Sequence, residues 1–239
     1  PMSRALVVVP TYNESENIRR LVDQVLEADP CLEMLVVDDN SPDGTGRIID
    51  ELSSSNQRVH TMHRAGKLGL GSAYREGFRW ALERGYDLVF EMDADFSHDP
   101  RYLPDFLRAI QDNDLVIGSR YVSGINVVNW PMRRLLLSYG ASFYTRMITG
   151  MPIHDPTAGF KCFRREVLEA LDLDAIQSEG YSFQIEVHFK VWRKKFRIRE
   201  IPIIFIDRHS GTSKMNRRIV IEAVWMVWWL KLQALLRRI

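Results

Sequence analysis

Cysteine is scarce in this chain of 239 residues, and both cysteines, Cys31 and Cys162, lie among apolar residues. Two cysteines are too few for a disulfide framework or a cysteine-based zinc site. We therefore expect two buried, reduced thiols, as is usual in a cytoplasmic protein. A strand pattern begins at Ala5, which leaves no room for a signal peptide before it.

Long hydrophobic runs are also absent. The most apolar stretch, 219–236, is interrupted by three polar side chains, whereas a membrane-spanning helix needs about 20 predominantly apolar residues. Aromatic and basic residues cluster here: Trp225, Trp228, Trp229, Lys231, Arg237 and Arg238. The pattern predicts a C-terminal helix over 216–239 that packs on the core, lies in a membrane interface, or does both with different faces.

The near-neutral net charge of +1 conceals an asymmetry. Residues 187–239 contain 13 Lys and Arg against 3 Asp and Glu, a net of +10, and the remaining residues contain 19 against 28, a net of −9. A basic tail on an acidic body predicts an anionic partner such as nucleic acid, a phosphate ligand or a membrane surface. The tryptophan-rich helix favours a membrane surface, and we predict no nucleic-acid partner.

Two nucleotide-binding motifs are missing. The loop after the first strand contains no glycine, so the dinucleotide-binding fingerprint is absent, and KLGLGS at 67–72 has its glycines in the wrong order for a Walker A motif. These absences argue against a nicotinamide-dependent enzyme and against a P-loop NTPase.

What the chain does have is a regular alternation of strand and helix patterns. Strands are predicted at 5–9, 33–37, 58–62, 87–92, 114–117, 159–163 and 198–206, and helices at 13–26, 46–52, 72–84, 101–111, 131–149, 182–195 and 216–238. This order predicts an α/β fold with a mostly parallel central sheet flanked by helices. Without a linker, we expect one domain over 1–215 with the C-terminal helix, 216–239, appended to it.

Three predicted strands end in polar clusters: PTYNE at 10–14, DDNSPDG at 38–44 and DAD at 93–95. Ligands of open α/β sheets bind at the carboxyl ends of the strands. Asp93 and Asp95 point the same way along an extended segment, and carboxylates so close repel each other unless a cation or a proton intervenes. The pair suits Mg²⁺ or Mn²⁺, or else one of the two caps the helix near Asp99 and the other is solvated.

Six segments, in this order, carry a resemblance to a known family: PTYNESENI, VVDDNSPDGTG, LGLGSAYREGF, EMDADFSHDP, IGSRYVSG and DPTAGFKCFRREVL. Over about residues 4–215 the chain resembles the family 2 glycosyltransferases of the GT-A fold, and more narrowly the polyprenol-phosphate mannosyltransferases of the dolichol-phosphate mannose synthase group. The resemblance implies an inverting transfer of mannose from GDP-mannose to a polyprenyl phosphate with Mg²⁺ or Mn²⁺. It also implies a peripheral position on the cytoplasmic face of the membrane.

The resemblance further implies roles for individual residues. The residues implied to bind the nucleotide sugar are Pro10, Tyr12, Glu14, Asp39, Asp93, Arg208 and Lys214, with Asp38 as the alternative to Asp39. Arg208 and Lys214 belong to the loop RHSGTSK. Metal binding falls to Asp93, Asp95 and Ser97, although Ser97 is a shorter ligand than the glutamine that relatives often have there. The residues implied to bind the acceptor phosphate are Arg120, Arg134 and Ser138. Asp95, Arg120 and Arg134 would be the catalytic residues.

Other functions remain open at this point. A transferase of the same fold could use UDP-glucose or another nucleotide sugar on a lipid phosphate. A sugar-1-phosphate nucleotidyltransferase is disfavoured, because the glycine-rich N-terminal loop with Arg and Lys that it requires is missing. A non-catalytic protein that binds anionic membranes is disfavoured by the presence of Asp93, Asp95, Arg120 and Arg134 together.

Overall fold

The structure is a computed structural model that describes residues 3–176, 178–206 and 217–236, with side chains from residue 224 onward in the last range. Its strands are β1 (Ala5–Thr11), β2 (Leu32–Asp38), β3 (Val59–His63), β4 (Leu88–Glu91), β5 (Leu115–Ser119), β6 (Val127–Val128), β7 (Lys161–Arg164), β8 (Ile198–Pro202) and β9 (Phe205–Ile206). Its helices are α1 (Ile18–Ala28), α2 (Thr45–Ser55), α3 (Leu70–Glu83), α4 (Leu103–Ala109), α5 (Met132–Thr149), α6 (Arg165–Ala170), α7 (Gly180–Arg193) and α8 (Arg217–Leu235). A short 3₁₀ turn, Pro100–Tyr102, precedes α4.

Seven strands form one sheet in the order β3-β2-β1-β4-β7-β5-β8, and β6 pairs with β9 in a separate two-stranded sheet. Only β7 of the seven is antiparallel to its neighbours. Ala5 of β1 lies opposite Leu32 of β2 and Leu88 of β4, so these three parallel strands end at the same edge. The predicted α/β fold with a mostly parallel sheet is confirmed.

Alternate residues of β1 pack on opposite sides of the sheet. Leu6 and Val8 belong to one core cluster with α3, α7 and α8, and Val7 belongs to the other with α1, α2 and α4. A strand covered on both faces reads as a continuous apolar run because both sets of side chains are buried. Helix α3 approaches β1 most closely at Gly77, where a Cβ would lie 2.4 Å from a methyl group of Val8.

Helix α1 begins later than the sequence pattern predicts. It starts at Ile18 instead of Asn13, because Asn13 takes a left-handed backbone conformation with φ of 62°. The amide of Glu14 donates to Oγ1 of Thr45, the first residue of α2, at 3.0 Å. Residues 12–17 therefore form a loop at the carboxyl edge of the sheet.

The second half of the chain departs further from prediction. The single strand predicted at 198–206 is broken into β8 and β9, which belong to different sheets, and neither β6 nor α6 was predicted. A sequence period cannot distinguish one bent strand from two short ones, because pairing with partners elsewhere in the chain decides the break.

The C-terminal helix α8 has a buried side and an exposed side. Val227 and Leu230 are each 1% exposed within the core, whereas Trp225 is 72% exposed. Among the helices that the structure describes, none is both long enough and apolar enough to span a bilayer. The division at residue 216 stays a prediction.

Candidate active site

A cleft of about 570 Å³ lies at the carboxyl edge of β1, β2 and β4. Strand β1 lies between β2 and β4, so the strand order reverses at β1. Ligands of open α/β sheets bind where the strand order reverses. We call this cavity the main cleft. The sequence-predicted residues that line it are Pro10, Tyr12, Glu14, Asp39, Asp93, Asp95, Ser97, Arg120 and Arg134.

The loop after β1 is held in place from the β2 side. The amide of Ser15 donates to Asp43 at 3.0 Å, and Asp43 also accepts from the amide and hydroxyl of Thr45. This arrangement leaves Tyr12 38% exposed in the cleft, with the ammonium of Lys67 4.3 Å from its ring centroid. A cation over an aromatic face is favourable, so Tyr12 and Lys67 form one wall together.

The two carboxylates after β2 have different surroundings. Asp38 is the last residue of β2, and its carboxylate accepts hydrogen bonds from Thr11 and Ser41. Asp39 lines the cleft and forms an ion pair with Arg64, with 2.8 Å between Oδ1 and Nε. Burial raises the pKa of Asp39 even though Arg64 opposes that rise. The geometry therefore favours Asp39 over Asp38 as the residue that meets a ligand.

Asp93 is oriented by two neighbours that the sequence reasoning did not connect to it. The hydroxyl of Tyr74, a fully buried residue of α3, donates to Asp93 Oδ1 at 3.3 Å. The backbone amide of Asp93 donates to Nδ1 of His98 at 3.0 Å. His98 is buried and stacks on Phe160 with 5.0 Å between ring centroids, so it shapes the loop.

Ser97 contacts Asp95. Its amide and its hydroxyl donate to Asp95 Oδ1 at 2.9 and 2.5 Å. The bond holds one oxygen of Asp95 towards the loop, and the carboxylate lines the cleft beside Asp93. A role for Ser97 as a metal ligand stays a prediction.

A divalent ion fits this donor set. Asp93 and Asp95 are only partly buried and supply hard oxygen ligands at the mouth of a cleft. Within the described ranges no group of three or more His, Cys, Asp and Glu side chains could hold a metal. Mg²⁺ is commonly bound by one or two carboxylates together with substrate phosphates and water, and that is the kind of site which these two residues can provide.

Arg120 is held firmly by its neighbours. Its Nε and Nη2 donate to the carboxylate of Asp155 at 2.7 and 2.5 Å, and Nη2 also donates to Thr157 at 2.7 Å. Burial alone would lower the pKa of Arg120, but the Asp155 charge raises it overall, so the guanidinium stays charged. Arg120 lines the cleft, and its guanidinium also lies 5.5 Å from the ring centroid of Trp130 and 5.6 Å from that of Phe205.

The loop that contains Asp155 is held by hydrogen bonds to β8 and α7. Glu200 of β8 accepts from the amides of His154 and Asp155 at 2.8 and 3.0 Å. His188 of α7 donates from Nδ1 to the carbonyl oxygen of Pro156 at 2.9 Å. Arg120 is therefore positioned by contacts from two distant parts of the chain.

A second cavity, the apolar groove, adjoins the main cleft. It has a volume of about 250 Å³ and is lined by residues of α5 and α7 and by Val224 of α8. Arg134, Thr157 and Tyr181 line both cavities, so the groove opens directly into the cleft. Arg134 lies over the ring of Trp130 with 4.1 Å from Cζ to the centroid. Ser138 lines the groove only, and its Oγ accepts from the hydroxyl of Tyr121 at 2.8 Å.

A buried polar group supports the floor of the cleft. Lys161 and Glu91 are both fully buried, with 3.3 Å between Nζ and Oε1, and Lys161 also donates to Gln184, which lines the cleft. Burial raises the pKa of Glu91 and lowers that of Lys161, while the charge of each partner opposes the shift. Removing one member would leave the other unpaired, which costs about 3–5 kcal/mol.

The predicted site residues that the structure describes line the main cleft, except Ser138, which lines the adjoining apolar groove. Arg208 and Lys214 lie outside the described residues, so their part in the site stays a prediction. Sequence reasoning missed Arg64, Lys67, Tyr74 and Glu179. A lysine in a glycine-rich loop after a strand was the available signal for Lys67, whereas the other three depend on long-range contacts.

Comparison with known proteins assigns the family. Residues 6–172 match the model of glycosyl transferase family 2. The chain belongs to this family, and the predicted enzyme class, a glycosyltransferase, is confirmed.

Curated relatives narrow the resemblance. The polyprenol monophosphomannose synthase of Mycolicibacterium smegmatis is 50% identical over 95% of this chain and 86% of its own length. The undecaprenyl-phosphate mannosyltransferase of Micrococcus luteus is 49% identical over 92% of this chain and 91% of its own length. The predicted kinship with polyprenol-phosphate mannosyltransferases is confirmed.

Solved structures support the GT-A fold. Glucosyl-3-phosphoglycerate synthase from Mycobacterium tuberculosis, solved with Mn²⁺ and UDP-glucose, has a TM-score of 0.70 at 19% identity and covers 95% of this chain and 79% of its own. The mannosyltransferase PcManGT from Pyrobaculum calidifontis, solved with GDP-Man and Mn²⁺, has a TM-score of 0.59 at 19% identity. The match covers 88% of this chain and 58% of that one. At these identities the likeness concerns the fold.

Proposed function

We propose that this chain transfers mannose from GDP-mannose to a polyprenyl phosphate, with Mg²⁺ or Mn²⁺ at Asp93 and Asp95. The observation that carries the proposal is the junction of two cavities with different chemistry. A cleft lined by carboxylates opens, beside Arg134, into an apolar groove. Mannose and the polyprenyl phosphate are proposed as substrates because the names of the two relatives at 50% and 49% identity include them.

On the donor side, Pro10, Tyr12, Glu14 and Asp39 hold the nucleotide at the ends of β1 and β2. Asp93 and Asp95, which line the cleft, are the residues that would hold the divalent ion. When bound, that ion neutralises the negative charge that develops on the departing GDP. Tyr74 and Ser97 keep the two carboxylates oriented for this task.

On the acceptor side, the nucleophile needs little activation. A phosphate monoester loses its second proton near pH 6, so it reaches the site as an anion at neutral pH. Arg134, Ser138 and Arg120 hold the phosphate without removing a proton from it, so the contribution of the protein is mainly positioning.

The reaction forms one bond and breaks one. A phosphate oxygen attacks the anomeric carbon of mannose from the face opposite GDP, and the bond from that carbon to the GDP oxygen breaks. We expect inversion of configuration because the family resemblance implies it, and the face of attack is proposed on that ground. The first isoprene units of the lipid occupy the apolar groove, whose lining includes Leu136, Leu137 and Ile185.

The remaining lipid requires a membrane surface, and two helices offer one. Helix α5 contains three arginines and no acidic residue, and it exposes Met132, Leu136, Phe143 and Met147 by more than 60% each. Helix α8 exposes Trp225, Trp228 and Trp229. Aromatic and basic residues of this kind suit the membrane interface, and we propose peripheral binding on the cytoplasmic face.

A radiolabel assay tests the proposed function. The protein is incubated with labelled GDP-mannose, a polyprenyl phosphate in detergent and Mg²⁺ or Mn²⁺, and the lipid is extracted into organic solvent. We expect labelled lipid with either metal and none in the presence of EDTA. An unlabelled organic phase, under conditions in which the M. smegmatis relative makes the product, would contradict the proposal.

A further inference from the structure

Glu179 begins one helix with its backbone and caps another with its side chain. It is the N-cap residue of α7, yet its side chain makes no capping bond there. Instead its carboxylate accepts from the amides of Gly71 at 2.6 Å and Ser72 at 3.1 Å, in the first turn of α3. The N-cap residue of α3 is Gly69, which has no side chain to offer.

The loop before α3 is shaped around this carboxylate. A Cβ on Gly69 would lie 2.5 Å from Glu179 Oε2, and φ at Gly69 is +105°, a conformation that favours glycine. A Cβ on Gly71 would lie 2.7 Å from the carbonyl oxygen of Ser178. Two glycines therefore allow α3 and the start of α7 to approach closely, and any larger residue would push them apart.

The first turn of α3 is connected to the donor side of the main cleft. Ser72 Oγ accepts from Nη1 of Arg64 at 2.9 Å, and Arg64 is the ion-pair partner of Asp39. Two residues further along α3, Tyr74 donates to Asp93. These contacts do not involve Glu179, so Arg64 and Tyr74 hold the donor side to α3 independently of it.

The first turn of α7 is connected to the acceptor side. Tyr181 lines both the main cleft and the apolar groove, and Gln184 lines the cleft above Lys161. Glu179 immediately precedes this turn and is itself part of the cleft wall. Its carboxylate thus links the segment that faces the nucleotide sugar to the segment that faces the lipid phosphate.

We propose that Glu179 is a positioning residue that holds the acceptor side of the cleft in alignment with the donor side. The proposal rests on the proposed function, because it requires two substrates that meet in this cleft. A displacement of about 1 Å between reacting groups can cost about 100-fold in rate. Loss of the link is therefore expected to reduce transfer while leaving nucleotide binding intact.

The test compares Glu179→Ala and Glu179→Gln with Glu33→Gln as a matched control. Glu33 also accepts several hydrogen bonds, from Tyr86, His60 and Arg4, but it lies at the opposite edge of the sheet, and the cleft does not include it. Four quantities are measured: Tm, the Kd for GDP with Mn²⁺, kcat and KM for transfer to the lipid phosphate, and the rate at which the nucleotide sugar is hydrolysed by water.

For Glu179→Ala we expect kcat for transfer to fall about tenfold or more, the ratio of hydrolysis to transfer to rise, and the Kd for GDP to stay within about twofold. Glu179→Gln keeps one acceptor oxygen, so its kcat for transfer should lie between those of the wild type and Glu179→Ala. Glu33→Gln is expected to lower Tm by about 2–4 °C with no change in that ratio. If Glu179→Ala behaves like Glu33→Gln, Glu179 only stabilises the fold and the inference is wrong.

Hydrogen exchange supplies a readout that does not depend on catalysis. In Glu179→Ala the segments 66–74 and 178–184 should both exchange faster, and β1 should not change. If the wild type transfers no mannose, the proposed function fails and exchange alone decides on Glu179. Unchanged exchange in both segments would overturn the inference whatever the activity.

Discussion

The two sides of the cleft are built differently. On the donor side, polar residues directly follow the ends of parallel strands, and their carboxylates have partners at short range, such as Arg64 for Asp39 and Ser97 for Asp95. On the acceptor side, α5 and the β6–β9 sheet present apolar side chains, including Phe143 at 62% and Ile206 at 44% exposure. One side has fixed polar groups and the other has accessible apolar surface.

The difference agrees with the two proposed substrates. A nucleotide diphosphate is small, charged and always of the same shape, so preorganised donors and acceptors fit it well. A polyprenyl chain repeats one apolar unit and offers a single polar group, its phosphate. Apolar area beside Arg134 can hold such a chain, and each buried CH₂ contributes about 0.8 kcal/mol.

The largest effect is expected on the donor side, from Asp95→Ala. The substitution should reduce transfer by about 1,000-fold or more, because the stabilisation that a bound metal gives the leaving group is worth several kcal/mol. Asp99→Asn is the matched control, because Asp99 caps the neighbouring 3₁₀ turn and does not line the cleft. Transfer and Mn²⁺-dependent GDP binding should both fail in Asp95→Ala only. Wild-type turnover in that variant would rule out the metal role.

The corresponding substitution on the acceptor side is Arg134→Ala. A charge-assisted contact to phosphate is worth about 1.5–3 kcal/mol, so kcat/KM for the lipid phosphate should fall about 10- to 100-fold. Affinity for GDP should not change. Arg133→Ala, one residue away and exposed outside both cavities, is the control. Equal losses in the two variants would mean that Arg134 acts only through the net charge of α5.

Trp225→Ala tests the membrane-facing surface. Trp225 is 72% exposed on α8, and loss of its apolar area should weaken partition onto vesicles of phosphatidylcholine and phosphatidylglycerol about three- to tenfold. Activity on a short-chain, detergent-soluble phosphate should be unchanged. Unaltered vesicle binding, measured by sedimentation, would place the membrane contact elsewhere.

A smaller effect is expected from Tyr74→Phe on the donor side. Loss of the hydrogen bond to Asp93 should cost about 1 kcal/mol, seen as about fivefold weaker Mn²⁺ binding in the presence of GDP. Tyr86→Phe removes a comparable bond to Glu33 at the far edge of the sheet and should leave Mn²⁺ binding unaltered. Calorimetric titration with Mn²⁺ measures both, and equal affinities in the two variants would remove Tyr74 from the metal site.

The smallest effect concerns the loop after β1 and its dependence on pH. Burial alone would raise the pKa of Asp43, but hydrogen bonds from Thr45 and Ser15 lower it from 3.8 to about 2. A carboxyl group with a lowered pKa stabilises the fold above pH 4, and this contribution is lost as the pH falls towards 2. Asp43→Asn should therefore be less stable than the wild type at pH 7 and equally stable near pH 2, as measured by urea unfolding. A difference in stability between Asp43→Asn and the wild type that does not change with pH would show that the charge of Asp43 does not stabilise the fold.

The sequence predicted well which residues after β1, β2 and β4 line the main cleft, because they lie directly after buried strands. Asp39, Asp93 and Asp95 needed only the rule that parallel strands end at a common edge. The predicted start of α1 was wrong. The amides of Asn13 and Glu14 donate to Ser41 and Thr45, which lie more than 25 positions further along the chain. Local patterns do not contain those contacts.

The acceptor side was predictable only in part. Arg134 and Ser138 share one face of α5 as their spacing predicts, and both line the apolar groove. The shape of the groove was not predictable, since it depends on α5, α7 and α8 packing together. Glu179 was beyond reach for the same reason, because it contacts residues 107 and 108 positions earlier in the chain.

The central claim is that this cleft joins GDP-mannose to a lipid phosphate, and a double-label competition tests it most directly. GDP-mannose carrying tritium and UDP-glucose carrying carbon-14 are supplied together, at equal concentration, with one polyprenyl phosphate and Mn²⁺. We predict tritium in the extracted lipid and little carbon-14, with both labels absent in Asp95→Ala. Carbon-14 in the lipid in place of tritium would contradict the donor assignment, and the absence of both labels from the wild-type product would contradict the claim itself.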